Sequence, residues 1–349
     1  MTASTGIGII GCGNILGEYL RTLLGRSEVT VHALADLNSD RAEAAGAPHG
    51  IPGMSPEELL RQPEIDIVIN LTVPAAHASV STLALQAGKH VYSEKPLALT
   101  REDGLALLEL TRTSGLKLTC GPDTFMGAAF TAAHELVESG AIGRVTSVSA
   151  NFFGHGPEEW HPNPAFFYQP GAGPLFDMGP YYLTQLIKLF GPVARVSGSA
   201  VIGEAERRPR RGPHSDVPIP VTTPTTVNAL LEFSAGPVAT LSCSFDVWAS
   251  SRPHIELYGT EGTLQLADPN RFDGTLRLFD STDRQWRDVT ASQPAGLGRG
   301  SGVLDLARTL TDGTAPQADA RHAFHVLDVM HCILEYAEHG QWLEPLPIG

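Results

Sequence analysis

The stretch Gly6-Ile7-Gly8-Ile9-Ile10-Gly11-Cys12-Gly13-Asn14-Ile15-Leu16-Gly17 decides the reading of the fold. Residues 6–10 are a short apolar run, glycines punctuate the turn, and a helical pattern continues to about Leu24. This predicts strand, glycine turn, helix. A second apolar strand, 29–35, ends in Asp36, which lies 23 residues beyond Gly13. An acid about 20 residues after such a turn is placed to accept hydrogen bonds from a ribose diol. The turn's amides and the helix N-terminus then offer a seat for a pyrophosphate. One departure is Leu16 at the third motif position, with the glycine displaced to Gly17, so the helix is expected to stand slightly further from the strand.

The alternation of strand and helix continues outward from this turn. Residues 65–70 read as a buried strand, followed by Thr72-Val73-Pro74-Ala75-Ala76-His77 and a helix ending near Gly88. Next comes the short strand of His90-Val91-Tyr92-Ser93-Glu94-Lys95-Pro96, whose proline should hold Lys95 in an extended kink. Thr100 can cap the helix that follows, and residues 116–120 make one more strand. Such alternation predicts an α/β domain with a doubly wound parallel sheet over residues 1–123, with its ligand at the carboxyl ends of the strands.

From residue 124 the pattern changes. A helix at 128–139 and a strand at 145–153 lead into a long loop holding His155, Trp160, His161 and Tyr168. A helix at 175–190 precedes strands at 194–201, 225–233, 238–245, 254–258 and 263–266. This predicts an α+β second domain, 124–349, on a largely antiparallel open sheet, whose last helix, 320–338, is free to pack on either domain.

Composition limits the partners. The chain of 349 residues has 42% apolar and 18% charged residues, as in an ordinary globular protein, and its length suggests two domains. A net charge of -14 argues against nucleic acid or an anionic membrane. The four cysteines lie far apart, and no histidine spacing suits a metal, so neither a disulfide framework nor a metal site is expected. No leader and no apolar run of about 20 residues is read, and a cytoplasmic protein is expected.

Several motifs together are more specific than one. The Gly11–Ile15 turn, the Thr72–His77 segment, Glu94-Lys95-Pro96, Gly171-Ala172-Gly173-Pro174-Leu175-Phe176-Asp177-Met178-Gly179 and Tyr258-Gly259-Thr260-Glu261-Gly262-Thr263 resemble the Gfo/Idh/MocA family of sugar and polyol oxidoreductases. The resemblance covers nearly the whole chain. It implies a nicotinamide cofactor held by Gly11, Gly13, Asn14, Ile15, Asp36, Thr72, Pro74, His77, Glu94 and Lys95. It also places substrate and nicotinamide contacts on Lys95, with Asp177 completing the site from the second domain. NAD is expected over NADP, because Leu37-Asn38 and not serine or arginine follows Asp36, whose carboxylate would repel a 2′-phosphate.

Where the family's pattern has Asp-x-x-x-His, this chain has Asp177 and Tyr181, four apart on one helix face, as in the glucose-fructose oxidoreductase and dihydrodiol dehydrogenase branches. A phenol with an ordinary pKa of about 10 is a poor base at neutral pH unless its anion is stabilised, and a nearby Lys95 ammonium would do that. The roles expected are therefore Tyr181 as proton acceptor or donor, Lys95 as its electrostatic partner and a substrate ligand, and Asp177 as a hydroxyl orienter. Tyr182 is the alternative base, on another face of the helix.

Residues 121–125 carry no arginine, which argues for a neutral sugar, glycoside or cyclic polyol, with hydride exchanged in the cleft between the domains. Asp123, Trp160 and His161 are candidate substrate contacts. Trp160 reads equally as a plug for its loop, and His161 as a solvated side chain. The charge run Glu204–Arg211 reads as a mobile loop or a subunit contact, and the open sheet as a homodimer or homotetramer surface. Two other readings stay open: a non-catalytic NAD- or sugar-sensing regulator, and an enzyme with resident NAD, such as a transhydrogenase or a redox-assisted glycosidase.

Overall fold

The computed structural model describes residues 4–161, 163–210, 215, 217–234, 236–292, 294 and 296–347. The chain runs β1 (Thr5–Ile10), α1 (Leu16–Leu23), β2 (Val29–Ala35), α2 (Ser39–Gly46), β3 (Gly53–Met54), α3 (Pro56–Leu60), β4 (Ile67–Asn70), α4 (His77–Gln86), β5 (His90–Ser93), α5 (Arg101–Ser114) and β6 (Leu118–Cys120). It continues with α6 (Ala128–Glu138), β7 (Val145–Phe153), α7 (Gly173–Phe190), β8 (Val193–Val201), β9 (Glu206–Arg207), β10 (Ile219–Pro220), β11 (Thr226–Phe233), β12 (Val238–Ser244) and β13 (Ile255–Gly259). The last elements are β14 (Gly262–Leu266), β15 (Gly274–Asp280), β16 (Trp286–Ala291), α8 (Ser301–Asp312) and α9 (Ala320–His339).

Two compact units result, one of residues 1–126 and 293–327, the other of 127–292 and 328–349. The expected division at 123/124 placed residues 124–349 in the second domain, with the last helix, 320–338, free to pack on either. The structure instead returns a segment of about 293–327 to the first unit. The physical reason is apolar packing: Val303, Leu306 and Ala307 of α8 join one buried cluster with Leu16, Tyr19 and Leu23 of α1 and Tyr92 of β5. Burial of that face outweighs sequence separation.

In the first unit the sheet order among the described residues is β3-β2-β1-β4-β5-β6, with every pairing parallel. Strands buried on both faces read as continuous apolar runs, and Ile7, Ile67, Val68, Ile69 and Val91 are fully buried. Helix α1 buries Leu16, Tyr19, Leu20 and Leu23, one helical stripe, while Glu18 and Arg21 pair on its outer face. Leu16 thus fills the third motif position as a core residue, and Gly17 is exposed. The order reverses between β1 and β4, so the carboxyl ends of these strands frame a crevice of the kind that binds dinucleotides.

The second unit contains an eight-stranded sheet, β16-β15-β14-β13-β7-β12-β11-β8, in which β7 and β12 pair in parallel and the other neighbours antiparallel. Helix α7 packs on β7, β11 and β12. The β15–β16 hairpin extends the strands beyond Leu266, where the sequence reading stopped, because Leu276 and Leu278 alternate with exposed Thr275 and Arg277. Among the described residues no helix is long and apolar enough to cross a membrane, and no cluster of three or more His, Cys, Asp or Glu side chains is arranged to hold a metal ion.

Candidate functional site

The first unit gathers the predicted cofactor residues at one sheet edge. Registers Ile10↔Ala35, Ile10↔Asn70 and Asn70↔Ser93 align the carboxyl ends of β2, β1, β4 and β5, so Asp36, Gly11, Thr72 and Glu94-Lys95 emerge side by side. Gly11 has φ +108, and a Cβ there would lie 2.6 Å from the Leu71 carbonyl and 2.8 Å from the Thr72 nitrogen. Only glycine allows the β1 and β4 ends to approach this closely. Gly13 is exposed, and a Cβ on it would meet nothing within 4 Å, which leaves room for a ligand against the backbone. Asn14 is exposed and Ile15 half-buried at the start of α1, whose N-terminus has no side-chain cap.

Asp36 is tied into this turn. One carboxylate oxygen accepts the Cys12 amide at 2.9 Å; the other accepts the Asn38 amide at 3.0 Å and faces Arg41 Nη1 at 3.4 Å. No arginine follows Asp36 directly in sequence, yet the first turn of α2 swings Arg41 back onto it. The Cys12 thiol lies against the Ala35 carbonyl at 3.6 Å, and burial, then the Asp36 charge, pushes it up to about 11. It is a packing group, not a nucleophile.

The loops after β4 and β5 are locked together. Asn70 is fully buried; its amide donates to the His77 carbonyl at 2.9 Å and Ser81 Oγ at 3.0 Å, and its oxygen accepts the Thr72 amide and hydroxyl at 3.2 and 2.6 Å. The buried His77 ring lies between two carbonyls, Pro96 at 2.7 Å and Thr72 at 3.0 Å. Expected as a cofactor contact, His77 is instead a strap between the loops carrying Thr72 and Lys95. Burial lowers its pKa, opposed by those two carbonyls and by Glu94. Pro74 opens a short turn, Pro74–Ala76, beside it.

Glu94 anchors Lys95. Its Oε1 accepts the buried Tyr19 hydroxyl at 2.7 Å, and its Oε2 accepts the Lys95 amide at 3.0 Å, just before the cis Lys95–Pro96 bond. Burial alone would raise the carboxyl, but Arg299, Lys95 and the Tyr19 bond together hold it below the usual glutamate range. Lys95 is half-buried. Tyr19 and Arg299 were missed in the sequence: Tyr19 looked like one apolar position of α1, and Arg299 lies 205 positions away in a glycine-rich segment.

Asp123 takes a different part from the substrate contact expected of it. It is fully buried, and its Oδ2 accepts the Gly300 and Gly302 amides at 2.8 and 3.1 Å, holding the start of α8 in place of a local cap. Burial raises its carboxyl, opposed by Arg299 and those two amides.

In the second unit, Asp177 and Tyr181 share a face of α7, as their spacing requires; Asp177 is half-buried and Tyr181 5% exposed. Pro180 stands between them and removes the donor that would pair with the Phe176 carbonyl. Tyr182 points into the sheet: it is fully buried, donates to the Asn151 carbonyl at 3.0 Å and lies 2.8 Å from His254 Nδ1. Burial, then Asp268, pushes its hydroxyl far up, which removes it as the alternative base.

Trp160 is 63% exposed, so it does not plug its loop; its ring meets His161 and Phe167 edge-on at 5.4 and 6.4 Å. His161 is half-buried and accepts the Asn163 amide at 3.1 Å; Pro162 lies outside the described residues. The loop is held by Glu158, which is buried, accepts the Tyr168 hydroxyl and pairs with Arg207 at 3.0 Å. Arg207 also pairs with Asp246, which accepts the hydroxyls of Thr225 and Thr226 at 2.7 and 2.6 Å. Within the charge run 204–211, read as a mobile loop or a subunit contact, Arg207 is 4% exposed and is the bolt of a buried ionic network, while Glu204, Glu206, Arg208 and Arg210 are exposed. Arg211 lies outside the described residues.

Comparison with known proteins agrees with this geometry. Residues 5–121 match the model described as oxidoreductase family, NAD-binding Rossmann fold, and residues 130–265 match the GFO/IDH/MocA C-terminal domain. A dTDP-3,4-didehydro-2,6-dideoxy-alpha-D-glucose 3-reductase of Streptomyces violaceoruber is 29% identical over 93% of this chain and 96% of its own. A trans-1,2-dihydrobenzene-1,2-diol dehydrogenase of Bos taurus is 28% identical over 75% of this chain and 74% of its own. Among solved structures, a levoglucosan dehydrogenase in complex with NADH and L-sorbose has the same fold, with a TM-score of 0.82 at 21% identity over 99% of this chain and 100% of that one. With both halves of the chain matched by the models of one family, in the order the fold requires, this protein belongs to the Gfo/Idh/MocA family of oxidoreductases.

Proposed function

We propose that the chain is an NAD-preferring oxidoreductase that interconverts an alcohol and a carbonyl on a neutral sugar, glycoside or cyclic polyol. The observation that carries this reading is the anchoring of Lys95: Glu94, gripped by Tyr19, fixes the Lys95 backbone at the end of β5, in the same row of strand ends as the Gly11–Gly13 turn and Asp36. Gly11, Gly13, Asn14 and Ile15 would seat the pyrophosphate, Asp36 the adenosine ribose, and Thr72, Pro74 and Glu94-Lys95 the remainder. The bound nicotinamide supplies the hydride acceptor or donor.

The chain's own residues handle the proton and the orientation. In this reading Tyr181 takes the substrate hydroxyl proton in oxidation and returns it in reduction, with the Lys95 ammonium favouring the phenolate. Asp177 accepts a neighbouring substrate hydroxyl, and Trp160 with His161 offers an apolar face and an acceptor to the rest of a sugar ring. The relatives named above act on a dTDP-sugar and on a dihydrodiol, and a bound sugar accompanies NADH in the levoglucosan dehydrogenase, which supports a polyhydroxylated substrate. We further propose a homodimer or homotetramer through the open sheet and a cytoplasmic location.

A panel of sugars, glycosides and cyclic polyols assayed at the NADH absorbance band tests the reading. Saturable turnover with at least one supports it. Saturable binding without turnover would instead mark a sensor, and a tightly held nucleotide in the purified protein a resident cofactor. Tyr181→Phe is expected to lower turnover about 10²–10⁴-fold, the span of one acid–base group, with NADH binding unchanged.

A further inference from the structure

Trp160 and His161 stand on a turn that is fastened by buried charge. Both of their amides donate to the Pro157 carbonyl, at 3.1 and 2.7 Å, so the short helical turn Pro157–Glu159 sets where the two rings lie. Glu158, in the middle of that turn, is 3% exposed and engaged at both oxygens: Oε2 accepts the Tyr168 hydroxyl, and Oε1 meets Arg207 Nη1 at 3.0 Å. Burial, then the bond to Glu158, pushes the Tyr168 hydroxyl up, so it stays a donor. Gly156, at φ +91, leads into the turn, and a Cβ on it would collide with Glu158 Oε2 and the Tyr168 oxygen.

Arg207 ties the same turn to the sheet. Its Nη2 pairs with Asp246 and donates to the Phe245 carbonyl at 3.3 Å, just beyond β12. The apolar cluster of Phe167, Tyr168 and Phe245 beneath the loop is non-directional, whereas a fork of charged donors held between two carboxylates defines one orientation. The outer pair of Glu159 with Arg210, whose side chain is 59% exposed, adds little to this.

We propose that Arg207, Glu158 and Tyr168 are positioning residues for substrate: their buried network presets Trp160 and His161 as a platform for a sugar ring and thereby sets KM. This rests on the reading of those two rings as substrate contacts. The proton and hydride steps stay with Tyr181, Lys95 and the nicotinamide. With the network broken, only a fraction of molecules hold the platform in place, and apparent affinity falls by that fraction.

Steady-state kinetics of the intact protein with a sugar that it turns over, or calorimetric Kd with one that it only binds, test this, with melting curves to verify folding. Tyr168→Phe removes one donor to Glu158, and Arg207→Lys keeps the charge but loses the fork. Each is expected to raise KM about three- to thirtyfold, with kcat within about twofold and its pH profile and NADH affinity unchanged. Removing the platform, Trp160→Ala with His161→Ala, should raise KM by itself, and Tyr168→Phe added to it should change KM by less than about twofold, because nothing is left to position. If folded Tyr168→Phe leaves KM within about twofold of wild type, lowers kcat instead, or raises KM as much without the two rings as with them, the proposal is overturned. If Arg207→Lys does not fold, Tyr168→Phe decides. If the variant lacking both rings keeps the wild-type KM, or if no sugar is bound or turned over, the reading of the rings as substrate contacts falls, and this proposal with it.

Discussion

Replacing Tyr19 by phenylalanine removes one oxygen and isolates the anchor of Lys95. Tyr19 is fully buried, and its hydroxyl is 2.7 Å from Glu94 Oε1, so the variant keeps the ring packing and loses one bond to a carboxylate. Hydrogen bonds to charged groups contribute about 1.5–3 kcal/mol, and the Tyr19 ring sits in the buried apolar cluster of the first unit. For a domain of about 150–250 residues each kcal/mol moves Tm by about 2–4 °C, so a fall of about 3–12 °C is expected.

The pH dependence has a defined sign. The folded Glu94 carboxyl is held below its ordinary value, so its ionised form stabilises the fold above that value, and the contribution is lost as the pH falls through the folded one. Tyr19→Phe removes one of the interactions that favour ionisation, which raises the folded value. The unfolded carboxyl is the same in both proteins, so the gap between wild type and variant is full near pH 7 and closes only as the pH falls through the wild type's folded value, below the ordinary glutamate range. Melting curves of both proteins across this range, with NADH affinity as a second readout, check it. A gap of under about 1 °C at neutral pH, or one that does not change with pH, would refute the role given to the Tyr19–Glu94 bond.

Two further perturbations probe what holds each unit. Arg207→Met leaves Glu158 and Asp246 without their shared cation and is expected to cost about 3–5 kcal/mol in denaturant unfolding, whereas Arg207→Met with Glu158→Gln and Asp246→Asn should recover much of it; a single variant within about 1 kcal/mol of wild type would show that the network does not hold the loop. Gly11→Ala places a Cβ against the Leu71 and Thr72 backbone at φ +108 and should lose at least about 2 kcal/mol together with dinucleotide binding; a variant that melts and binds like the wild type would show that the turn has room to adjust.

The local part of this protein was legible in its sequence. A glycine turn between an apolar run and an amphipathic helix, an acid at the end of the next strand, and a lysine before a proline are short-range patterns, and backbone sterics and hydrophobic periodicity act over the same range. They sufficed for the Rossmann sheet, the antiparallel character of the second unit and the family. Even Asp177 and Tyr181 needed only the helical repeat to share a face.

What the tertiary structure decided involves partners far apart along the chain. The return of α8 to the first unit, the burial of Asp123 at the start of that helix, and the Tyr19–Glu94 bond across 75 positions have no spacing rule to announce them. The same holds for Arg207, which read as one member of a charged loop until folding set Glu158 and Asp246 around it, 49 and 39 positions away. His77 read as a cofactor contact and Arg41 carried no reading of its own; only packing turned one into a strap between two loops and the other back onto Asp36. A side chain's type is written in the sequence, but which charges and donors it meets depends on which apolar faces pack together, and that is settled by the whole chain at once.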